Sequence, residues 1–378
     1  MISSWDDFPV HQVAEPVRHA GTSDRNFYDR YYFNLHGSSD ELMMIMGMGQ
    51  YPNLGVQDAF AVVRRADHHR VLRCSKELGD RADLSVGPIR IEVIEPLHQL
   101  RFIVEPNEHG IEADVVWKGS IPAFEEPRQY IRKHGRVLFD TCRFAQTGTW
   151  EGTLKVGDES FDVTPDRWKG TRDRSWGVRP VGEPEAPGIR GGEGQMTGMW
   201  NYSPMQFEDH SILYILNETD DGERPLEEAV RIWNDPKREP EWLGRPEWRH
   251  SMEPGSRMVK RSTIAFPEAP GGAFEVSAEP LTHCFVAVGT GYGMEADWRH
   301  GMYQGPLVVQ GLDMSNQEIS ALGQYALVDH VARFEYDGNV GFGLHEHGFF
   351  GAFEKAGMKD GGSGAETEEA KSDPPDES

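Results

Sequence analysis

Short stretches of this chain recur at a separation of about half its length. Glu92-Val93-Ile94-Glu95-Pro96-Leu97, followed by Gly110-Ile111-Glu112-Ala113-Asp114, returns as Glu275-Val276-Ser277-Ala278-Glu279-Pro280-Leu281, followed by Gly293-Met294-Glu295-Ala296-Asp297. The offset is 184 residues at the Glu-Pro-Leu and 183 at the Glu-Ala-Asp. Arg143-Phe144 with Gly148, and Arg333-Phe334 with Gly338, keep nearly the same spacing. Three matches in order predict a tandem duplication, with the two Glu-Pro-Leu triplets at equivalent strand ends. The period far exceeds the roughly 20 to 50 residues of stacked repeats, and each half is long enough to bury a core of its own. Two similar domains are therefore expected from 378 residues.

The side-chain period inside each half is near two. Ile89 to Glu95 and Thr263 to Phe266 alternate as half-buried strands do, while Phe102-Ile103-Val104 and Phe285 to Val288 are denser apolar runs. Pro106-Asn107, Pro270-Gly271-Gly272 and Asp337-Gly338-Asn339 separate such runs at hairpin distances. Helical patterns are scarce, and Leu226 to Ile232 is the best short candidate. The fold class is all-β: each half is an antiparallel sandwich or barrel with enough strands to close around an interior. The expected organisation is an N-terminal arm over 1–26, a first domain over 27–190, a second over 191–357 and a disordered acidic tail over 358–378. The junction is placed in the Pro- and Gly-rich stretch from Arg179 to Gly194, and the loop from Asp235 to Pro254 is expected to cover an edge or a pocket mouth.

Charge and cysteine content narrow the function. A net charge of −24 and a pI near 5.0 repel phosphate backbones and anionic lipid, which makes nucleic acid an unsuitable partner. Cys74, Cys142 and Cys284 are odd in number and lack paired spacing, which points to a reducing compartment without a disulfide framework. The start of the sequence has no basic and apolar leader pattern, and nowhere do eighteen apolar residues run together. A cytoplasmic protein without integral membrane association is expected, and composition leaves its oligomeric state open.

The densest chemistry lies in Gly170-Thr171-Arg172-Asp173-Arg174-Ser175-Trp176-Gly177-Val178-Arg179. A buried Asp173 would need arginine partners, because an unpaired buried charge is costly. The stretch reads either as a salt-bridged loop locking two domains or as the polar floor of an interdomain pocket. In the second reading Asp173 protonates or polarises a ligand beside Trp176, Arg172 and Arg174. His345 and His347 would share one face of a strand, with Glu346 on the other. They can be rim residues, proton carriers or two metal ligands, but no third ligand is evident and no metal or other cofactor is expected. His68-His69 reads as a solvated turn. Tyr32, Asn34 and His36 would share one strand face, as would Trp200 and Tyr202, forming polar and aromatic handles or ordinary packing. Leu42-Met43-Met44-Ile45-Met46-Gly47-Met48 suits either a core or a lipid-like cavity. Gly289 to Gly293 reads as a hairpin, since no Gly-Lys-Ser/Thr follows it.

Gly170-Thr171 followed by Asp173-Arg174-Ser175-Trp176-Gly177, between two β-rich repeats, resembles the AttH and carotenoid 1,2-hydratase-like superfamily of tandem lipocalin-like domains. Phe27-Tyr28-Asp29-Arg30-Tyr31-Tyr32-Phe33-Asn34 resembles a branch known only as domains of unknown function, and the similarity runs from about Phe27 to Lys355. The resemblance implies chemistry on apolar, polyunsaturated or polyketide-like molecules, by acid-catalysed hydration or cyclisation. Where the hydratase-like branch has histidine after the aspartate, this chain has Arg174, which cannot exchange protons near neutral pH. The expected functions are binding of a hydrophobic small molecule of isoprenoid, steroid or fatty-acyl type, catalysis as a hydratase, isomerase or cyclase, or a structural role with a vestigial pocket.

Overall fold

A computed structural model describes residues 2–133, 135–180, 198–292 and 295–358. The expected boundary near residue 190 and nearly all of the expected tail lie outside these residues. Residues 2–26 contribute no strand, only a 3-10 turn at Ser4–Asp7.

The first half supplies β1 (Phe27–His36), β2 (Leu42–Tyr51), β3 (Val56–Arg65), β4 (His68–Glu77), β5 (Ser85–Val86), β6 (Ile89–Glu95) and β7 (Gln99–Val104). It continues with β8 (Ile111–Gly119), β9 (Phe124–Glu125), β10 (Gln129–Lys133), β11 (Arg136–Val156), β12 (Glu159–Val163) and β13 (Lys169–Val178). The second half supplies β14 (Gly198–Gln206), β15 (His210–Glu218), β16 (Leu226–Trp233), β17 (Glu241–Trp242), β18 (Glu247–Met252) and β19 (Val259–Phe266). It ends with β20 (Phe274–Phe285), β21 (Leu307–Ser315), helix α1 (Asn316–Gly323), β22 (Val328–Tyr336) and β23 (Asn339–Phe350).

Two antiparallel sheets result, and they repeat one topology. The order β4-β3-β2-β1-β13-β11-β8-β7-β6 in the first is matched by β17-β16-β15-β14-β23-β22-β20-β19-β18 in the second. The first sheet curls until Gly87, after β5, lies against Cys74 of β4 and Val309 of β21, nearly closing a barrel. Strand β21, late in the sequence, leaves its own half and pairs antiparallel with β4 along its whole length, Leu307 opposite Lys76 through Ser315 opposite His68.

The duplicated topology is present, but the matched sequence stretches are not its equivalent points. Glu95 ends β6, and Pro96 and Leu97 form the turn into β7, whereas Glu279-Pro280-Leu281 lies inside β20 at a register shift. By sheet order β20 corresponds to β8. Ile111 to Asp114 open β8, while Glu295 to Asp297 lie in a loop. Register is set by which side chains face the core across neighbouring strands, so short polar stretches can match by composition and still sit on unrelated elements.

Several other expectations change. The stretch from Asp235 to Pro254 is not a continuous loop but holds β17 and β18, which pair with β16 and β19, and of the run Phe285 to Val288 only Phe285 belongs to a strand. Leu226 to Ile232 is strand β16, because its partners on β15 and the interdomain core decide its conformation. The helix is α1, opened by a capping box in which Ser315 Oγ accepts from Glu318 N and Glu318 reaches back to Ser315 N. His68-His69 is the start of β4 rather than a solvated turn, and His69 is fully buried, held down to about 3 by loss of solvent. Gly289 to Tyr292 lies in a loop outside any strand. Among the described residues no helix is long and apolar enough to cross a membrane.

Three large apolar clusters, with two small ones around Phe285 and Tyr51, divide the interior among the described residues. Phe33, Met44, Met46, Met48, Trp117, Trp150 and Trp168 fill the first barrel, with Trp117 and Trp150 ring centres 5.2 Å apart. Met205, Tyr214, Phe266, Phe334 and Phe349 fill the second half. Between them Tyr32, Met43, Ile45, Val62, Tyr202, Leu213, Ile215 and Leu344 form a shared core where the outer faces of the two sheets meet. The methionine-rich strand is thus core packing for the barrel and the interface. Polar ties cross the same seam, with Thr147 Oγ1 2.7 Å from Ser211 Oγ and Gln206 Nε2 donating to Ser120 Oγ at 2.8 Å.

Candidate functional site between the two halves

A cavity of about 510 Å³ opens within this seam, a volume in the range of roughly 300 to 1,000 Å³ common for small-molecule sites. Equivalent strands of the two halves build it. In the first, Tyr32 of β1 lies directly opposite Asp173 of β13. In the second, Tyr202 of β14 lies directly opposite Glu346 of β23. Because directly paired residues project from the same face of a sheet, each half contributes a tyrosine beside a carboxyl, and all four line the cavity. Leu226, Val286, Leu327, Leu344 and Phe350 supply apolar surface.

The electrostatics are those of carboxyls short of water. No described side chain hydrogen-bonds the carboxyl of Asp173, and burial raises its pKa although Arg143, Arg179, Arg30 and Arg174 pull it back. Glu346 accepts from the indole nitrogen of Trp200 and faces Asp329, its direct neighbour on β22. Burial, followed by the charge of Glu346, holds Asp329 well above the usual carboxylate range, and burial raises Glu346 as well. Two adjacent carboxyls away from water share protons, since ionising both is unfavourable. Tyr32 donates its hydroxyl hydrogen to Asp329, so this tyrosine of the first half is held by a carboxyl group of the second. Glu126 accepts from Arg143 Nε and is nonetheless pushed up to about 7 by burial. The Arg143 guanidinium lies over Tyr202, 4.6 Å from its ring centre.

The residues singled out in the sequence divide across this site. Tyr32, Asp173, Trp200 and Tyr202 line the cavity. Asn34 and His36 share the face of Tyr32 but do not line the cavity: Asn34 Oδ1 accepts from Thr171 N at 3.0 Å, and burial holds the pKa of His36 down to about 3. Arg172, Arg174 and Trp176 project from the opposite face of β13. Arg172 donates to Gln146 Oε1 at 2.9 Å, Arg174 pairs with Asp29, and Trp176 is 39% exposed on the surface. The aspartate of the motif is therefore paired with none of its sequence neighbours. His345 and His347 face the interior of the second half, away from Glu346. His345 bridges Ser203 and Ser262 at 2.7 and 2.8 Å, and His347 lies 3.1 Å from the carbonyl of Arg257. Burial holds their pKa values down to about 3 and about 4, which favours the neutral imidazole, and neither ring lines the cavity. Among the described residues no group of three or more His, Cys, Asp or Glu could hold a metal ion.

Glu126, Arg143, Asp329 and Glu346 are site residues not proposed from the sequence, and Arg179, although part of the stretch around Asp173, was given no role there. Alternation gives a local signal for two of the five: Glu346 falls on the strand face opposite the two histidines, and Arg179 falls on the same face as Asp173. Glu126, Arg143 and Asp329 come from distant elements.

The fold has solved counterparts. The Nitrosomonas europaea protein NE1406, described as AttH, superposes with a TM-score of 0.53 at 12% identity, covering 91% of this chain and 98% of that one. Kievitone hydratase from Nectria haematococca gives 0.51 at 12% identity, covering 85% and 88%. CghA in complex with Sch210972 gives 0.50 at 10% identity, covering 86% and 89%. At these identities the likeness shows the tandem lipocalin-like fold. No curated protein matches the chain in sequence. A family model does match, over residues 2–359, and the chain belongs to that family of unknown function, DUF8625.

Proposed function

We propose that the protein is an enzyme of hydratase, isomerase or cyclase type, acting on an unsaturated apolar small molecule held between its two halves, with Asp173 as general acid. The observation that carries this reading is the carboxyl of Asp173. It faces a cavity lined by apolar and polar side chains together, has no hydrogen-bonding partner among the described residues, and loss of solvent raises its pKa. A carboxyl meant only to lock two domains would be expected in an ion pair. The name of kievitone hydratase, one of the proteins sharing the fold, is consistent with this chemistry.

In the hydration form of the reaction, the Asp173 carboxyl transfers its proton to one carbon of a double bond. The π electron pair forms the new C–H bond, leaving a cation on the second carbon and a carboxylate on Asp173. Water adds to the cation, and its surplus proton returns to Asp173, so the carboxyl is restored and the net change is addition of one water. In cyclisation an internal nucleophile or double bond replaces that water. Tyr202 and the Glu346–Asp329 pair, on the opposite side, can orient the water or stabilise developing charge.

The test is incubation of the purified protein with a panel of polyenes, prenylated phenols and unsaturated fatty acyl compounds, read by mass spectrometry. A product heavier by one water, or isomeric with its substrate, formed by wild type and lost in Asp173→Asn, is expected. Saturable binding without product would leave a binding protein; absence of both would refute the reading.

A further inference from the structure

We propose that the ligand of this cavity carries an anionic head, a carboxylate or an equivalent planar anion, and that Arg179 is the residue that docks it. The inference rests on the cavity being the substrate site. Its basis is a contrast among the four guanidinium groups that act most strongly on the charge of Asp173. Arg30 pairs with Asp58 at 3.1 Å, Arg143 with Glu126, and Arg174 with Asp29. Arg179 also lines the cavity, yet no described carboxylate lies within ion-pair distance of it, and its Nη2 is buried without a hydrogen-bond partner.

A guanidinium keeps its proton at any physiological pH, so Arg179 remains a cation when the cavity is empty. Burying an unpaired cation is costly, and a counter-charge brought by a ligand would offset that cost. The posture of Arg179 suits that role. Its guanidinium carbon is 4.1 Å from the ring centre of Tyr28 and 5.2 Å from that of Tyr292. Ring contacts do not use up the N–H donors of a guanidinium, and a planar anion can be gripped by two of them. The neighbouring carboxyls do not forbid an anion, because Asp173 and Glu346 are both displaced toward their neutral forms. An anion at Arg179 would displace Asp173 further in that direction and so favour the protonated acid that the chemistry needs. The ligand is thus amphipathic, with its charged end at Arg179 and its apolar body along Val286, Leu327 and Leu344.

The test compares cis-parinaric acid with its methyl ester, a fluorescent polyene pair differing in the charge of the head. Wild type should bind the acid at least about tenfold tighter than the ester, a factor typical of one desolvated charge-assisted contact. Arg179→Gln should lower acid affinity to that of the ester and leave the ester unchanged. Arg179→Met, which keeps apolar bulk between the tyrosines, replaces it if the glutamine variant does not fold. Equal wild-type affinities would overturn the anionic-head assignment while leaving the cavity reading intact. A preference for the acid that persists undiminished in the Arg179 variants would overturn the role of Arg179. If neither probe binds folded protein, the cavity reading falls first and this inference with it.

Discussion

Asp173 is held in a cavity that disfavours its charge, beside four arginines that favour it, and the net effect is a raised pKa. No ion pair is lost when the side chain is made neutral. Asp173→Asn should therefore destabilise the protein by less than about 1 kcal/mol, where breaking a buried pair would cost about 3 to 5. Turnover should fall by about 10² to 10⁴, as expected for loss of a general acid. Thermal unfolding and product formation read the two effects separately. Asp329 gives a second prediction. Its folded pKa is raised above its unfolded value, so its contribution to stability is fully present below the unfolded value and is lost as pH rises through the folded one. The pH dependence of the urea midpoint should show that decline on the alkaline side of the normal carboxylate range. Asp329→Asn, which can still accept from Tyr32, should flatten it. Turnover should follow the same direction, declining as pH rises through the folded value of Asp173.

At the scale of elements, the two Glu-Pro-Leu copies behave as different objects. Leu97 is half exposed in a turn with φ of 65°, a left-handed conformation that costs a branched residue about 1 to 2 kcal/mol, offset in part by the chain entropy that glycine adds to the unfolded state. Leu97→Gly should leave stability unchanged or raise it by up to about 1 kcal/mol. Leu281 packs against the interdomain core inside β20, so Leu281→Ala should lower stability by about 1 to 2 kcal/mol, less than a fully buried leucine. Chemical denaturation of the pair checks both signs. Inside the first barrel, Trp117 is fully buried among Phe33 and Trp150. Trp117→Ala should cost about 3 to 5 kcal/mol and leave ligand affinity unchanged, because the barrel interior is core and the site lies outside it.

At the scale of the whole molecule, one of ten tryptophans, Trp200, lines the cavity. Apolar ligands should change the emission of wild type saturably, and Trp200→Phe should remove most of that change while Trp176→Phe leaves it intact. Fluorescence titration of the two variants decides between an interdomain site and the surface around Trp176. The halves also share β21, which pairs with β4 after some 230 intervening residues. A chain cut after residue 190 would leave the β4 edge unpaired and should aggregate, as sheet edges do when uncovered. Light scattering of that fragment, with and without a peptide spanning 307–315, measures the effect.

What the sequence determined by itself was local. Period-two alternation and turn residues specify strands and hairpins, so the all-β class and strands such as those at Ile89 to Glu95 and Thr263 to Phe266 were legible. The tandem arrangement is present, but the matched stretches from which it was inferred do not occupy equivalent points. The face shared by Tyr32, Asn34 and His36 was also legible, because alternation in a strand is a property of the backbone. Register, the pairing of distant strands and the meeting of two sheets are not local. They depend on which side chains fill a common core, so only the tertiary structure separated the matched Glu-Pro-Leu triplets. It also turned Leu226–Trp233 into a strand and sent β21 to the other half's sheet. The site is the clearest case. Asp173 stands among Arg172, Arg174 and Trp176 in sequence, yet the alternation of β13 turns those three to the opposite face. Its working neighbours, Tyr32, Arg143, Arg179, Tyr202 and Glu346, reach it from β1, β11, the end of β13, β14 and β23, because a cavity between two curved sheets is lined by whatever their packing brings to one place.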